Sequence, residues 1–264
     1  MDLYDALVLV HLAAGTLALV TYWGAAAARK GGVLHRRIGQ GYLLAMIVVL
    51  VTAVAMSVAF VQRGMHGIAV FLVYLVVITG TACWQAWRAV RNKRERGVFY
   101  GRNYRVLAWL NLGSGVATLA AGIALGNMLL MVFCWIGIAS GVAALRELRR
   151  PVPVNDPRWW MREHVQSNLG NGVATHVAFF SIGLSRVLGP LGIEVPQLFP
   201  WLAPVVVAVA AGIWLDRKYK FGKPTAVIPA TTVIPATAVI PATAVIPAKA
   251  GIQLRMDGSP PSRG

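Results

Sequence analysis

Acidic residues are scarce in this chain, and the places they avoid are informative. Nine Asp and Glu stand against twenty-five Lys and Arg, a formal net charge of +16. The nine are Asp2, Asp5, Glu95, Glu147, Asp156, Glu163, Glu194, Asp216 and Asp257, and none falls in the middle of an apolar run. Transporters coupled to protons or sodium place carboxylates at membrane depth, because the coupling ion must be carried or neutralised there. Intramembrane hydrolases that activate a zinc-bound water need acidic groups beside a histidine cluster. Both classes lose weight. Cysteine is almost missing as well: Cys83 and Cys134 fall in two different apolar runs, near the inner end of one and in the outer part of the other. A disulfide between them is geometrically poor, and burial as small hydrophobes is the expectation. Long polar stretches able to form a soluble domain are also lacking, since the gaps between apolar runs are short and strongly basic.

What is present is hydrophobic length. Apolar residues make up 57% of the chain and the mean hydropathy is +0.64. Crossing the bilayer hydrocarbon takes about 20 apolar residues, and seven segments supply them: Tyr4 to Gly24, Tyr42 to Val61, Gly67 to Trp87, Val106 to Leu125, Met128 to Leu145, Leu169 to Leu188 and Phe199 to Leu215. Most of the basic residues gather in every second gap. The clusters are Arg29, Lys30, Arg36 and Arg37; Arg88, Arg91, Lys93, Arg94, Arg96, Arg102 and Arg105; Arg146, Arg149, Arg150, Arg158 and Arg162; and Arg217, Lys218, Lys220 and Lys223. Cytoplasmic loops carry excess Lys and Arg, so these gaps are expected inside, with the N-terminus outside and the C-terminus cytoplasmic. The acidic start and full-length first run predict an uncleaved first helix rather than a removed signal peptide. In a soluble protein such charge would point to nucleic acid; here it follows membrane topology, so the expected partner is the bilayer, including its anionic lipids, and not nucleic acid. The fold class is all-α, a seven-span transmembrane bundle in a bacterial inner membrane.

Local chemistry sets the joints. Asp156 before Pro157 predicts a helix start ahead of the sixth span, with Trp159, Trp160 and Arg162 at headgroup level. Gly126-Asn127 alone separates spans four and five, which forces an antiparallel hairpin, and Gly113, Gly115, Gly122, Gly137 and Gly141 thin its surfaces for close contact. After Lys223 the character changes. Thr225 to Ala248 is four six-residue copies, TAVIPA, TTVIPA, TAVIPA and TAVIPA. Pro229, Pro235, Pro241 and Pro247 would each break a helix, so an extended or disordered tail over 224–264 is expected beside a membrane domain over 1–223. The VIPA text resembles the translation of a short intergenic repeat of bacterial genomes, an accidental extension.

Five histidines carry the remaining chemistry. His11 to Gly15 and His35 to Gly39 both read H-x-x-x-G, continued by Ala18 and Tyr22 in one case and by Tyr42 and Met46 in the other. Spacings of 4, 7 and 11 keep each set on one helix face, with a glycine one turn from each histidine leaving room for something flat. The plainer reading is a histidine bonded to a neighbouring helix. Counting from span ends puts His11 and His176 at similar depth near the outside, His35 and His164 at the inner border and His66 at the outer rim. Two layers of histidine are how a membrane cytochrome holds b-type haems. The sixth span adds a polar face of His164, Asn168, Asn171 and Thr175, with Gly172 and Gly183 beside His176.

The stretch His11 to Met46, with H-x-x-x-G, a small-residue helix and a basic loop bearing H-R-x-x-G-x-x-Y, resembles the opening of a family of polytopic bacterial membrane proteins of unknown function. Arg162-Glu163-His164 is similar to that family's R-E-H segment. The resemblance covers residues 1 to about 220, implies an inner-membrane protein and no particular activity, and points to His11, Gly15, His35, Arg36, Gly39, Tyr42 and His164. The leading functional expectation is a haem-binding or quinone-linked redox component. His11 and His176 are its candidate ligands to haem iron, His35 and His164 an inner pair, and Gly15 and Gly39 the space beside them. No catalytic residue is assigned. The alternatives are a small-solute or lipid carrier and a structural partner of a membrane complex.

Overall fold

A computed structural model describes residues 2–150, 158–188, 190, 198–219 and 221. By internal contacts the chain divides into Met1–Thr225 and Ala226–Gly264; the second unit, with its proline repeats, lies outside the described residues, as does the expected helix start at Asp156 and Pro157. Among the described residues there are helices and no strands. They run α1 (Leu3–Ala27), α2 (Val33–Gln62), α3 (His66–Arg91), α4 (Arg96–Phe99), α5 (Arg102–Ala124), α6 (Met128–Arg149), α7 (Trp159–Leu188) and α8 (Phe199–Tyr219).

Six of these, α1, α2, α3, α5, α6 and α8, are long and apolar enough to cross a membrane. The sixth expected span lies within α7, which is thirty residues long but does not join the six. The physical reason is in its sequence: Ser167, Asn168, Asn171, Thr175 and His176 interrupt the apolar run. Large apolar side chains such as Leu12, Val20, Leu44, Val51, Val206 and Val207 face outward, while α1 buries only Ala14 and Ala18. This inverted distribution is what lipid selects, since it gives bulky residues no reason to hide and lets small ones bring backbones together.

Helix α1 begins with a reciprocal cap, Asp5 N–H to Asp2 Oδ1 at 2.7 Å and Asp2 N–H to Asp5 Oδ2 at 3.3 Å. It pairs with α2; α3 then sits centrally against α2, α5, α6 and α7, and α7 packs on α1, α3 and α8. The α5–α6 hairpin turns at Gly126 with φ +58°, a backbone state that favours glycine, and Asn127 caps α6 by accepting from Leu130 N–H at 3.2 Å. Four of its five expected glycines are packing contacts. A Cβ on Gly115 would meet Ile138 N at 2.8 Å, on Gly122 Met131 N at 3.0 Å, on Gly137 Asn111 O at 3.0 Å and on Gly141 Leu112 N at 2.6 Å, whereas Gly113 faces open space.

The basic ends of α3, α5, α6 and α7 are tied by a unit the sequence did not foretell, the short helix α4. Phe99 is fully buried there, among Tyr104, Trp159 and Ala144, with its ring stacked 5.8 Å from Trp84. Trp159 is buried in this cluster. Glu147 on α6 gathers Arg96 at 3.0 Å, Arg150 at 3.6 Å and Arg162 at 3.9 Å. Tyr100 donates to Glu163 Oε1 at 2.9 Å. Burial pushes the Tyr100 phenol well up, and the neighbouring Glu163 charge adds to the shift.

Candidate functional site

The chemistry-bearing side chains converge on a seam between α7 and the helices α1, α2 and α3. One turn of helix brings a residue back to the same face after three or four positions, so His164, Asn168, Asn171 and Thr175 form a stripe along α7. The predicted faces of α1 and α2 meet it: Ala18, Tyr42, Ala45 and Met46 form one buried cluster, with Tyr22 and Cys83 packed against it. Both cysteines are free thiols.

At the basic end of the seam the structure brings together His35 and His164. Their ring centroids are 6.4 Å apart with planes at 74°. His35 Nδ1 lies 2.9 Å from the carbonyl of Ala25, and His164 Nδ1 lies 2.9 Å from the carbonyl of Ala86. Since a carbonyl only accepts, each Nδ1 carries a proton, which leaves Nε2 as the lone-pair nitrogen of the neutral ring. Ala25 is among the last residues of α1, whose carbonyls have no partner in their own helix, so His35 and Lys30, whose Nζ donates to the same oxygen at 3.3 Å, cap that helix. Asn168 Nδ2 gives its short bond to the His164 carbonyl at 2.7 Å and lies 3.3 Å from Nδ1 and 3.5 Å from Nε2 of the His164 ring. Gly39, one turn from His35, has nothing within 4 Å of where a Cβ would stand. Arg36, next to His35, is exposed.

His11 and His176 are not brought together. His176 lies against Tyr22 and Trp23, with ring separations of 5.6 Å to each, twelve positions along α1 from His11, or about 18 Å of helix rise. Both of its nitrogens are engaged: Nδ1 donates to the Gly172 carbonyl at 2.7 Å and Nε2 accepts from Trp23 Nε1–H at 2.9 Å. Gly172 leaves the space that the Tyr22 hydroxyl fills. His11 Nδ1 is 2.8 Å from Thr52 Oγ1, and that hydroxyl donates onward to the Val48 carbonyl at 2.8 Å. Gly15 faces open space, like Gly39. His66 is exposed at the first residue of α3.

Sequence reasoning missed the partners Thr52 and Trp23 and the capping role of Lys30. Thr52 lies ten residues past Tyr42, off the face of His35, Gly39, Tyr42 and Met46, and Trp23 stands beside Tyr22 off the face of His11, Gly15 and Ala18. Among the described residues no group of three or more His, Cys, Asp or Glu is placed to hold a metal ion. Compared with models of protein families, with curated proteins and with solved structures, the chain has no match in any of the three.

Proposed function

We propose that this multi-pass membrane protein is a redox component whose His35 and His164 hold a b-type haem at the basic end of the bundle. The observation that supports this reading is the pairing of the two rings at 6.4 Å. Two imidazoles binding one metal from opposite sides at about 2.0 Å per bond leave their centroids roughly 6 Å apart. A metal-binding histidine also commonly donates its other ring N–H to a carbonyl, which fixes tautomer and orientation, and both Nδ1 atoms have such a partner. Gly39 contributes open space beside His35. His35, Gly39 and Tyr42 all belong to the stretch that carries the family resemblance.

A haem supplies one-electron transfer when bound. The chain's part is to orient both rings through Ala25 and Ala86 and to keep water away with the apolar residues of α1 and α2. In this reading α7 is the seventh span, with its polar stripe turned to α1, α2 and α3. Seven spans put the termini on opposite sides, and basic gaps kept in the cytoplasm of a bacterial inner membrane put the N-terminus outside; a quinone or a membrane redox protein is then the natural exchange partner.

The polar stripe of α7 favours a second reading, a carrier of a small solute or lipid. One spectrum separates the two. Protein purified in mild detergent from haem-sufficient cells is expected to show a Soret band and sharp b-type peaks on reduction. His35→Ala and His164→Ala each lose them, whereas His11→Ala and His176→Ala retain them. Colourless wild-type protein that takes up no added hemin overturns the haem reading and leaves the carrier.

A further inference from the structure

Seven residues beyond His35 on α2 stands Tyr42, and seven beyond His164 on α7 stands Asn171, in each case about 10 Å further along the helix. The two helices meet again here. Tyr42 and Thr175 share a hydrogen bond of 3.2 Å between their hydroxyls, and Asn171, one turn before Thr175, is 0% exposed. Cys83 on α3 reaches Asn171 Oδ1 at 3.5 Å, Met46 Sδ lies 3.7 Å from Thr175 Oγ1, and Tyr22 closes the side with its ring 5.5 Å from that of Tyr42.

The shortest contacts set the pattern of donors at this node. The nearest acceptor for Thr175 Oγ1–H is the Asn171 backbone carbonyl at 2.9 Å, which leaves the Thr175 oxygen free to accept from the Tyr42 hydroxyl. The Cys83 thiol hydrogen goes to Asn171 Oδ1. What remains is the Asn171 amide nitrogen, buried and without a partner, while the Tyr42 oxygen keeps lone-pair capacity. An unmet buried donor is destabilising, and lipid hydrocarbon offers it no acceptor. Among the described residues no Asp, Glu, Lys or Arg contributes to the node, so a bound ion would lack a counter-charge there.

We propose that the Asn171 carboxamide is the donor of a binding site for one uncharged oxygen acceptor, supplied by a resident water or by the carbonyl of a lipid-soluble molecule of the quinone type. The proposal rests on the hydrogen-bond ledger of the node and not on the histidine pair, so it stands or falls separately from the haem reading.

An experimental density map of wild-type protein in lipid nanodiscs is the first test. Isolated density within about 3.2 Å of Asn171 Nδ2 identifies a water, and extended density a carbonyl ligand. The second test titrates wild-type and Asn171→Leu protein with decylubiquinone, followed by quenching of tryptophan fluorescence. Saturable binding that weakens at least tenfold in Asn171→Leu supports the carbonyl source. Absent binding, together with isolated density at the amide in the wild-type map, supports the water. A map with no density at the amide overturns the proposal, and so does an Asn171→Leu protein at least as stable as wild type that binds the probe with equal affinity, because replacing a truly orphaned donor with an apolar group costs nothing.

Discussion

The hydroxyl of Tyr74 on α3 stands between the two ends of a single helical step of α6, donating to the Phe133 carbonyl at 2.7 Å and accepting from the Gly137 N–H at 2.8 Å. A side chain inserted into the i to i−4 ladder is one of the few causes of a local helix bend. It also explains the glycine, since a Cβ at 137 would come 2.9 Å from the Tyr74 ring. Tyr74→Phe removes both bonds and is expected to lower stability by about 1–2 kcal/mol. Gly137→Ala is expected to cost about 1–3 kcal/mol by overpacking. Thermal unfolding in detergent checks both, and an unchanged melting temperature in Tyr74→Phe would show that α6 closes the step by itself.

Glu147 holds three arginines from three segments while only 16% exposed. Glu147→Gln leaves Arg96, Arg150 and Arg162 in mutual repulsion and should loosen the α4 segment from α6 and α7. Allowing for the solvent that reaches Arg150 and Arg162, the expected loss is about 1–2 kcal/mol. Limited trypsin digestion would report it as faster cleavage at Arg94 or Arg96.

The open space beside Gly39 gives the haem reading a steric test. Gly39→Leu is expected to reduce the ratio of Soret to protein absorbance severalfold by filling that space. Gly15→Leu should leave the ratio unchanged, because Gly15 accompanies His11, whose Nδ1 is engaged by Thr52. Equal losses in both variants would point to a general packing defect instead.

Topology is open to a direct reporter test. A phosphatase fused after Gly126, in the tight α5–α6 turn, should be active outside the cytoplasm, and one fused after Arg96, in the basic α3–α5 connection, should be inactive. The reverse pattern would invert the orientation.

Where the helices run was legible because bilayer thickness and basic loops write directly into composition. The close α5–α6 contact was legible in Gly115, Gly122, Gly137 and Gly141 for a similar reason, since only small residues let backbones approach. Helix α4 was not, because a four-residue turn has no periodicity and Phe99 is held by partners far along the chain. The histidines divide along the same line. His35 and His164 border basic gaps that fix their depth, and they meet. His11 and His176 were matched by counting residues from span ends, a one-dimensional measure that takes no account of where α7 crosses α1, and the crossing puts His176 beside Trp23.

The stripe of His164, Asn168, Asn171 and Thr175 bears on how the protein is made. A helix this polar partitions poorly into lipid as an isolated segment, yet its polar groups find Ala86, Tyr42 and Cys83 on helices synthesised earlier. On the proposed seven-span reading, insertion of α7 is an assembly step rather than an independent one: α2 and α3 must already be in place to receive it, and damage to their receiving faces would leave α7 outside the bilayer.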